Sequence, residues 1–224
     1  MTVSRRIGLL GGTFDPPHLG HLDAAAAACR SLQLDEVRFI PAHDPPHRPA
    51  EPHASAFHRF ALLALAIDGR EGYRASDIEL RRIGPSYTAL TLRELHGQGC
   101  RPSQLFFIIG SDAFAEIATW YDFPAILDAC HFAVIARAGI TIADAVRRTP
   151  ALAARIREPR DAGAESKGTG VFLIAAATAE ASSSEIRERL SNGRDIDDLV
   201  PPAVTRYIRR HNLYRTVDHL HGQD

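Results

Sequence analysis

The stretch Gly11-Gly12-Thr13-Phe14-Asp15-Pro16-Pro17-His18-Leu19-Gly20-His21 decides how the rest of the chain is read. Ahead of it, Arg6-Ile7-Gly8-Leu9-Leu10 is a short apolar run of the kind that forms a buried strand. Behind it, Leu22 to Leu34 is rich in Ala, the strongest helix former, and a helix is predicted there. Strand, glycine turn, two histidines and helix together bring bare N–H groups, a positive helix end and two imidazoles to the carboxyl edge of a sheet. Such a place suits phosphate. Gly11 and Gly12 can take positive φ and let a ligand lie against the backbone with no Cβ in the way. Pro16 and Pro17 stiffen the turn. His18 and His21 share a face if the helix begins near His18, and an imidazole can donate to a phosphoryl oxygen. A tight β-to-α turn with two surface histidines would use the same glycines. The density of Gly, Pro, Asp and His in so short a span favours the phosphate site. Zinc is poorly served, because no third ligand stands at helical spacing.

With 224 residues the chain can bury a full core as one α/β domain over residues 1–214, ahead of a polar tail at 215–224. The formal net charge of −1 gives no general pull toward nucleic acid or a membrane surface, so local cations must do any phosphate binding. Cys29, Cys100 and Cys130 lie far apart and outside any paired spacing, which reads as reduced thiols in a cytoplasmic protein. Met1 to Arg6 is too short and polar for a signal peptide, and no apolar run approaches a membrane span.

The opening stretch resembles the signature of the nucleotidyltransferase superfamily built on His-x-Gly-His. Its longer form is similar to that of the bacterial nicotinate mononucleotide adenylyltransferase family. Further elements carry the same resemblance. After a second strand at Glu36–Ile40, the proline-rich loop from Pro41 to Pro52 contains Pro45-Pro46-His47-Arg48, similar to the family's P-P-H-K with Arg in the Lys position. Arg48 keeps the charge and adds a fork suited to phosphate oxygens; on residues alone it is equally a solvated loop cation. Ala54 to Ile67 is read as an amphipathic helix burying Phe57, Phe60, Ala61, Ala64 and Leu65. Tyr73 to Leu80 is read as extended. Ser86 is a plausible N-cap for a helix from Ser86-Tyr87-Thr88 to about His96. The family carries S-[YW]-T there, implying that Tyr87 and Thr88 face the pyridine ring; Leu90 stands where relatives often have Asp.

Leu105-Phe106-Phe107-Ile108-Ile109 is the clearest central strand, ending in Gly110-Ser111-Asp112. Asp112 can accept from ribose hydroxyls or cap the next helix. Trp120 and Tyr121 follow, and a lone Trp is core or rim packing as readily as a stacking platform. The resemblance (G-[AS]-D, then Trp) implies nucleotide binding by Asp112 and ring stacking by Trp120, with Tyr121 beside it. His131–Ala136 is a further strand, followed by Arg137, which is either a phosphate contact or a surface residue. Thr141 to Ile156 looks helical and broken by Pro150, and Glu158 to Gly170 is polar and variable. After a last strand at Val171–Ala176, Ala181-Ser182-Ser183-Ser184-Glu185-Ile186-Arg187 resembles the family's I-S-S-T-x-I-R, with Ser184 for Thr. Read without the family, it is a helix N-terminus offering hydroxyls, free N–H groups and the Arg187 charge. Gly193 closes that helix, and a final helix runs from Ala203 to Arg210.

Strands alternating with helices imply a doubly wound parallel sheet with helices on both faces, a Rossmann-like nucleotidyltransferase fold. The resemblance implies adenylyl transfer from ATP to nicotinate mononucleotide, with Mg²⁺ arriving on ATP and no metal held by the protein itself. On that reading Gly11, Gly12, Thr13, Phe14, His18, His21, Ser183, Ser184 and Arg187 hold ATP, with His18, His21 and Arg187 catalytic. Arg48, Tyr87, Thr88, Asp112, Trp120 and Tyr121 hold the mononucleotide. The rivals are another adenylyl- or cytidylyltransferase of the superfamily, such as one acting on pantetheine phosphate, and a non-catalytic nucleotide sensor. Neither nucleic acid nor membrane is expected as a partner, and the oligomeric state is left open.

Overall fold

A computed structural model of the chain describes residues 5–46, 51–136, 147, 149–163 and 168–215. Seven strands form one sheet in the order β3-β2-β1-β4-β5-β7-β6. They are β1 (Ile7–Gly12), β2 (Glu36–Pro41), β3 (Tyr73–Ala75), β4 (Leu105–Gly110), β5 (His131–Ala136), β6 (Ile156–Arg157) and β7 (Val171–Ala175). Every pairing is parallel, with Ile7 opposite Glu36 on one side and Leu105 on the other. The chain builds outward from β1 to β3, then returns to β4 and builds the other way. β1 and β4 therefore flank the switch point, where two strand ends part and leave a crevice at their carboxyl edges.

Alternation along the buried strands feeds two cores. Leu105, Phe107 and Ile109 point to one face, where α3 (Thr88–Gly97), α4 (Ser111–Phe114) and α5 (Ile126–Ala129) cover them. Phe106 and Ile108 point to the other, against α1 (Leu19–Leu32) and α2 (Ala56–Ile67). A third cluster joins α2 to α6 (Ser183–Ser191) and α7 (Pro202–Arg210) through Leu62, Ala66, Ile186, Val204 and Ile208. This carries the second phosphate-suited turn back over the first. Among the described residues no helix is long and apolar enough to cross a membrane, and Cys29, Cys100 and Cys130 are free thiols.

Several local expectations are corrected. The face of α2 is displaced: Arg59, Leu62, Leu63, Ala66 and Ile67 are buried, while Phe57 is 84% exposed. Both stripes have helical spacing, and apart from Arg59 both are apolar, so periodicity alone cannot choose between them. α1 starts at Leu19, with His18 as its N-cap, and stops at Leu32 because Gln33 turns left-handed (φ 50°). The extended segment after α2 is only Tyr73–Ala75, where it pairs with β2. Ser86 caps nothing: Tyr87 is the N-cap of α3, and the Ser86 hydroxyl accepts instead from the amides of His43 (2.9 Å) and Asp44 (3.3 Å). β6 was not expected, since two residues carry no periodicity. Arg48 and Arg137, and most of the helix expected from Thr141, lie outside the described residues.

Candidate active site

β1 runs straight through Gly11 and Gly12, and neither has positive φ. Their lack of a side chain serves close packing instead. A Cβ on Gly11 would stand 3.3 Å from Phe107 Cζ, and one on Gly12 would stand 3.3 Å from Phe14 Cζ. The left-handed residue of the turn is Phe14 (φ 52°), whose buried ring packs edge-on to His21 at 4.8 Å. Phe14 thus shapes the loop from the core side and offers a ligand no side-chain surface. The Thr13 carbonyl is taken by Arg59 Nη1 at 2.7 Å.

Asp15 anchors the loop from beneath. Its fully buried carboxylate accepts from the amides of His53 (2.8 Å) and Ala54 (3.1 Å), which satisfies a charge that would otherwise be costly to bury. From the opposite side, Ser183 Oγ donates to the Pro16 carbonyl at 2.9 Å, and Arg187 Nη1 donates to the Asp15 carbonyl at 2.7 Å. Arg187 Nη2 also donates to Ser184 Oγ at 3.2 Å, while Ser182 caps α6 by accepting from Glu185 N. The serine turn and the glycine-histidine turn therefore meet, as the phosphate reading requires.

His18 and His21 lie one helical turn apart with ring centroids 3.7 Å from each other. The His18 amide donates to His21 Nδ1 at 3.2 Å. A ring nitrogen that accepts cannot hold the proton, so neutral His21 carries it on Nε2 and presents a donor there. Gly20 between them has a steric reason: a Cβ would stand 3.1 Å from His18 Nδ1 and 3.2 Å from the Ala179 carbonyl.

A cavity of about 320 Å³ opens at the β1/β4 switch point, with Gly11, Gly12, His21, Thr88, Asp112 and Trp120 in its wall. Trp120 is braced edge-on by Phe107 at 5.8 Å. Tyr87 and Tyr121 stand apart from that wall. They stack on each other (4.7 Å, 20°), and Tyr121 is half exposed with the Arg93 guanidinium 5.9 Å from its ring. Glu79, between β3 and α3, was not singled out in the sequence, yet it lines the cavity. Burial pushes its carboxyl above the usual range, offset in part by the Thr91 and Ser86 hydroxyls and by Arg82. Asp15, Gly20 and Arg59 were likewise passed over. Their only sequence signal was an Asp and a Gly inside the motif and an Arg within an apolar helix. Among the described residues no group of three or more His, Cys, Asp or Glu is placed to hold a metal ion.

A parallel sheet with two anion-suited turns meeting at its switch point defines a nucleotide-binding α/β protein of the nucleotidyltransferase kind, and residues 9–189 match the cytidylyltransferase-like family model. A Pseudomonas fluorescens protein named probable nicotinate-nucleotide adenylyltransferase is 39% identical over 216 residues, covering 95% of this chain and 99% of that one. A Synechococcus protein of the same name is 41% identical, covering 94% and 95% of the two chains. The chain belongs to the nicotinate-nucleotide adenylyltransferase family. Its fold is shared by the Plasmodium falciparum nicotinic acid mononucleotide adenylyltransferase complexed with NaAD, at a TM-score of 0.65 and 19% identity over 94% of this chain and 97% of that one.

Proposed function

We propose that the protein transfers the adenylyl group of ATP to the 5′-phosphate of nicotinate mononucleotide, releasing pyrophosphate and nicotinate adenine dinucleotide. A lone pair on the mononucleotide phosphate attacks the α-phosphorus of ATP in line. The bridging bond to the β-phosphate breaks, and its electron pair leaves with pyrophosphate. A phosphate dianion is already a competent nucleophile, so no Ser or Cys nucleophile and no covalent enzyme intermediate are needed. What the protein supplies is alignment of two mutually repelling anions and stabilisation of charge on the departing group.

The observation that carries this reading is the junction of Arg187 and Ser183 with the Asp15–Pro16 loop, beside a cavity walled by Gly12, His21, Asp112 and Trp120. His21 donates from Nε2 to the α-phosphate, with His18 beside it. Arg187 and the Ser183–Ser184 turn serve the β- and γ-phosphates. Thr88, Asp112 and Trp120 hold the mononucleotide, with Trp120 stacking on the pyridine ring. Tyr87 and Tyr121, stacked on each other outside the wall, close its rim, and the Pro-Pro-His-Arg resemblance assigns Arg48 to the 5′-phosphate. Mg²⁺ enters as part of the ATP substrate, held by phosphate and water. We place the enzyme in the cytoplasm, where three free thiols are at home.

A coupled pyrophosphate-release assay tests the reading. Turnover with ATP and nicotinate mononucleotide is expected, at a higher kcat/KM than with nicotinamide mononucleotide or pantetheine phosphate. Turnover only with the last would move the protein to another branch of the superfamily. ATP binding without pyrophosphate release would make it a sensor.

A further inference from the structure

At the α3 side of the cavity sits a polar cluster that the chemistry above leaves unused. Glu79 is buried against the cavity wall, and Thr91 Oγ1 donates to its Oε1 at 2.6 Å. Arg82 Nη2 donates to Thr91 Oγ1 at 3.2 Å and stands 4.0 Å from Glu79 Oε1. Ser86 Oγ accepts from the amides of His43 and Asp44, and the Ser86 amide donates back to the Asp44 carbonyl at 2.8 Å. With two amide protons pointed at its oxygen, the Ser86 hydroxyl has its own proton free to turn toward Glu79, which lines the cavity alongside it. One carboxylate therefore takes the Thr91 hydroxyl proton and faces the Ser86 hydroxyl. Through Ser86 it holds the segment that leads into Pro45 and Pro46.

We propose that Glu79 is a positioning residue for the mononucleotide half of the cleft, fixing α3 against the His43–Asp44 segment by orienting the Ser86 and Thr91 hydroxyls. α3 carries Thr88, which faces the cavity, whereas His43 and Asp44, tied to Ser86 at the cavity edge, line the next pocket along with Pro45 and Arg59; the 5′-phosphate end of the mononucleotide reaches toward it. The distance from Thr88 to the His43–Asp44 segment is what a mononucleotide of fixed length must match. A protein that lost this tie would still bind ATP against α1 and α6, which the cluster does not touch. The inference rests on the function proposed above and names a residue that function did not require.

The test uses full-length Glu79→Gln. Glutamine keeps the size but turns one acceptor into a donor, so one hydroxyl loses its partner. Expected are a KM for nicotinate mononucleotide raised about tenfold, the scale of one lost hydrogen bond, an unchanged KM for ATP, and faster hydrogen exchange at the His43 and Asp44 amides. Ser86→Ala should give the same exchange effect, and the double variant no more than either single one, because both cut the same tie. Equal shifts in both KM values, or additive effects in the double variant, would overturn the proposal. So would unaltered exchange at residues 43–44. If Glu79→Gln failed to fold, Thr91→Val with Ser86→Ala would carry the same measurements. Hydrogen exchange needs no turnover, so it decides the tie by itself. A wild-type protein inactive on the mononucleotide, with that tie intact, would overturn the function reading instead.

Discussion

Arg187 Nη1 and the main-chain carbonyl of Asp15 are 2.7 Å apart although the residues are separated by 172 positions in sequence. This bond fixes a guanidinium from the second turn of α6 against the loop that leads to His18. A guanidinium has five donors in a rigid fork, and the bonds to Asp15 and Ser184 engage only its two terminal nitrogens. The same group can thus be locked in place by protein and still meet phosphate. Position and charge are supplied by one side chain.

Arg187→Ala is therefore expected to lower kcat by about 10²- to 10³-fold, the scale of losing one well-placed electrostatic donor. Arg187→Lys should recover only part of it, because an ammonium keeps the charge but lacks the rigid fork that spans the Asp15 carbonyl, Ser184 and a phosphate. Steady-state pyrophosphate release measures both.

His21→Ala should cost about 10³-fold in kcat. The His18 amide would also lose its acceptor, so a destabilisation of about 1 kcal/mol is expected alongside. That appears as a fall of a few degrees in the melting temperature, not as unfolding.

Gly20→Ala sets two effects against each other. Helix propensity favours Ala by about 1 kcal/mol. Its Cβ, however, would crowd the His18 ring and the Ala179 carbonyl, and a backbone carbonyl cannot turn aside. Little change in melting temperature with at least a tenfold fall in kcat is expected. A more stable and fully active variant would show that His18 has room to move.

Trp120→Ala should raise KM for nicotinate mononucleotide more than KM for ATP, since Trp120 lines the cavity beside Thr88 while the serine turn lies elsewhere. Parallel increases would argue against ring stacking.

His131 gives a pH signature of the fold itself. It lies between Phe106 and Phe172, accepts from Gly170 N at 2.9 Å, and burial with nearby Arg157 lowers its pKa from 6.5 to about 4. A folded-state pKa below the unfolded value means that the unfolded chain binds the proton more readily. Stability is then full above pH 6.5 and is lost as pH falls toward 4, by up to about 3 kcal/mol. Urea unfolding across that range should show the slope, and His131→Phe should lack it.

Much of this was legible in the sequence where the chemistry is local. Gly11 to His21 declares a strand, a turn and a helix start within a few residues, and the apolar run Leu105–Ile109, ended by Gly110, reads as a central strand. Misreadings came where long-range partners decide. Arg59 is buried because the carbonyls of Thr13 and Ala54 await it, which no helical period announces. Phe57 is free to face outward because Leu62 and Ala66 already meet α6 and α7. Ser86 looks like a cap but is claimed by His43 and Asp44, more than forty positions away. Phe14 takes the left-handed backbone for which the neighbouring glycines were the natural candidates, since its ring is fixed in the core.

The most direct test is a crystal structure of the protein with nicotinate adenine dinucleotide bound. Its diphosphate is expected against Gly11–Gly12, with a phosphoryl oxygen about 2.7–3.2 Å from His21 Nε2 and the pyridine ring on Trp120. A dinucleotide seated away from the β1/β4 crevice, or a His21 that points from the phosphates, would contradict it.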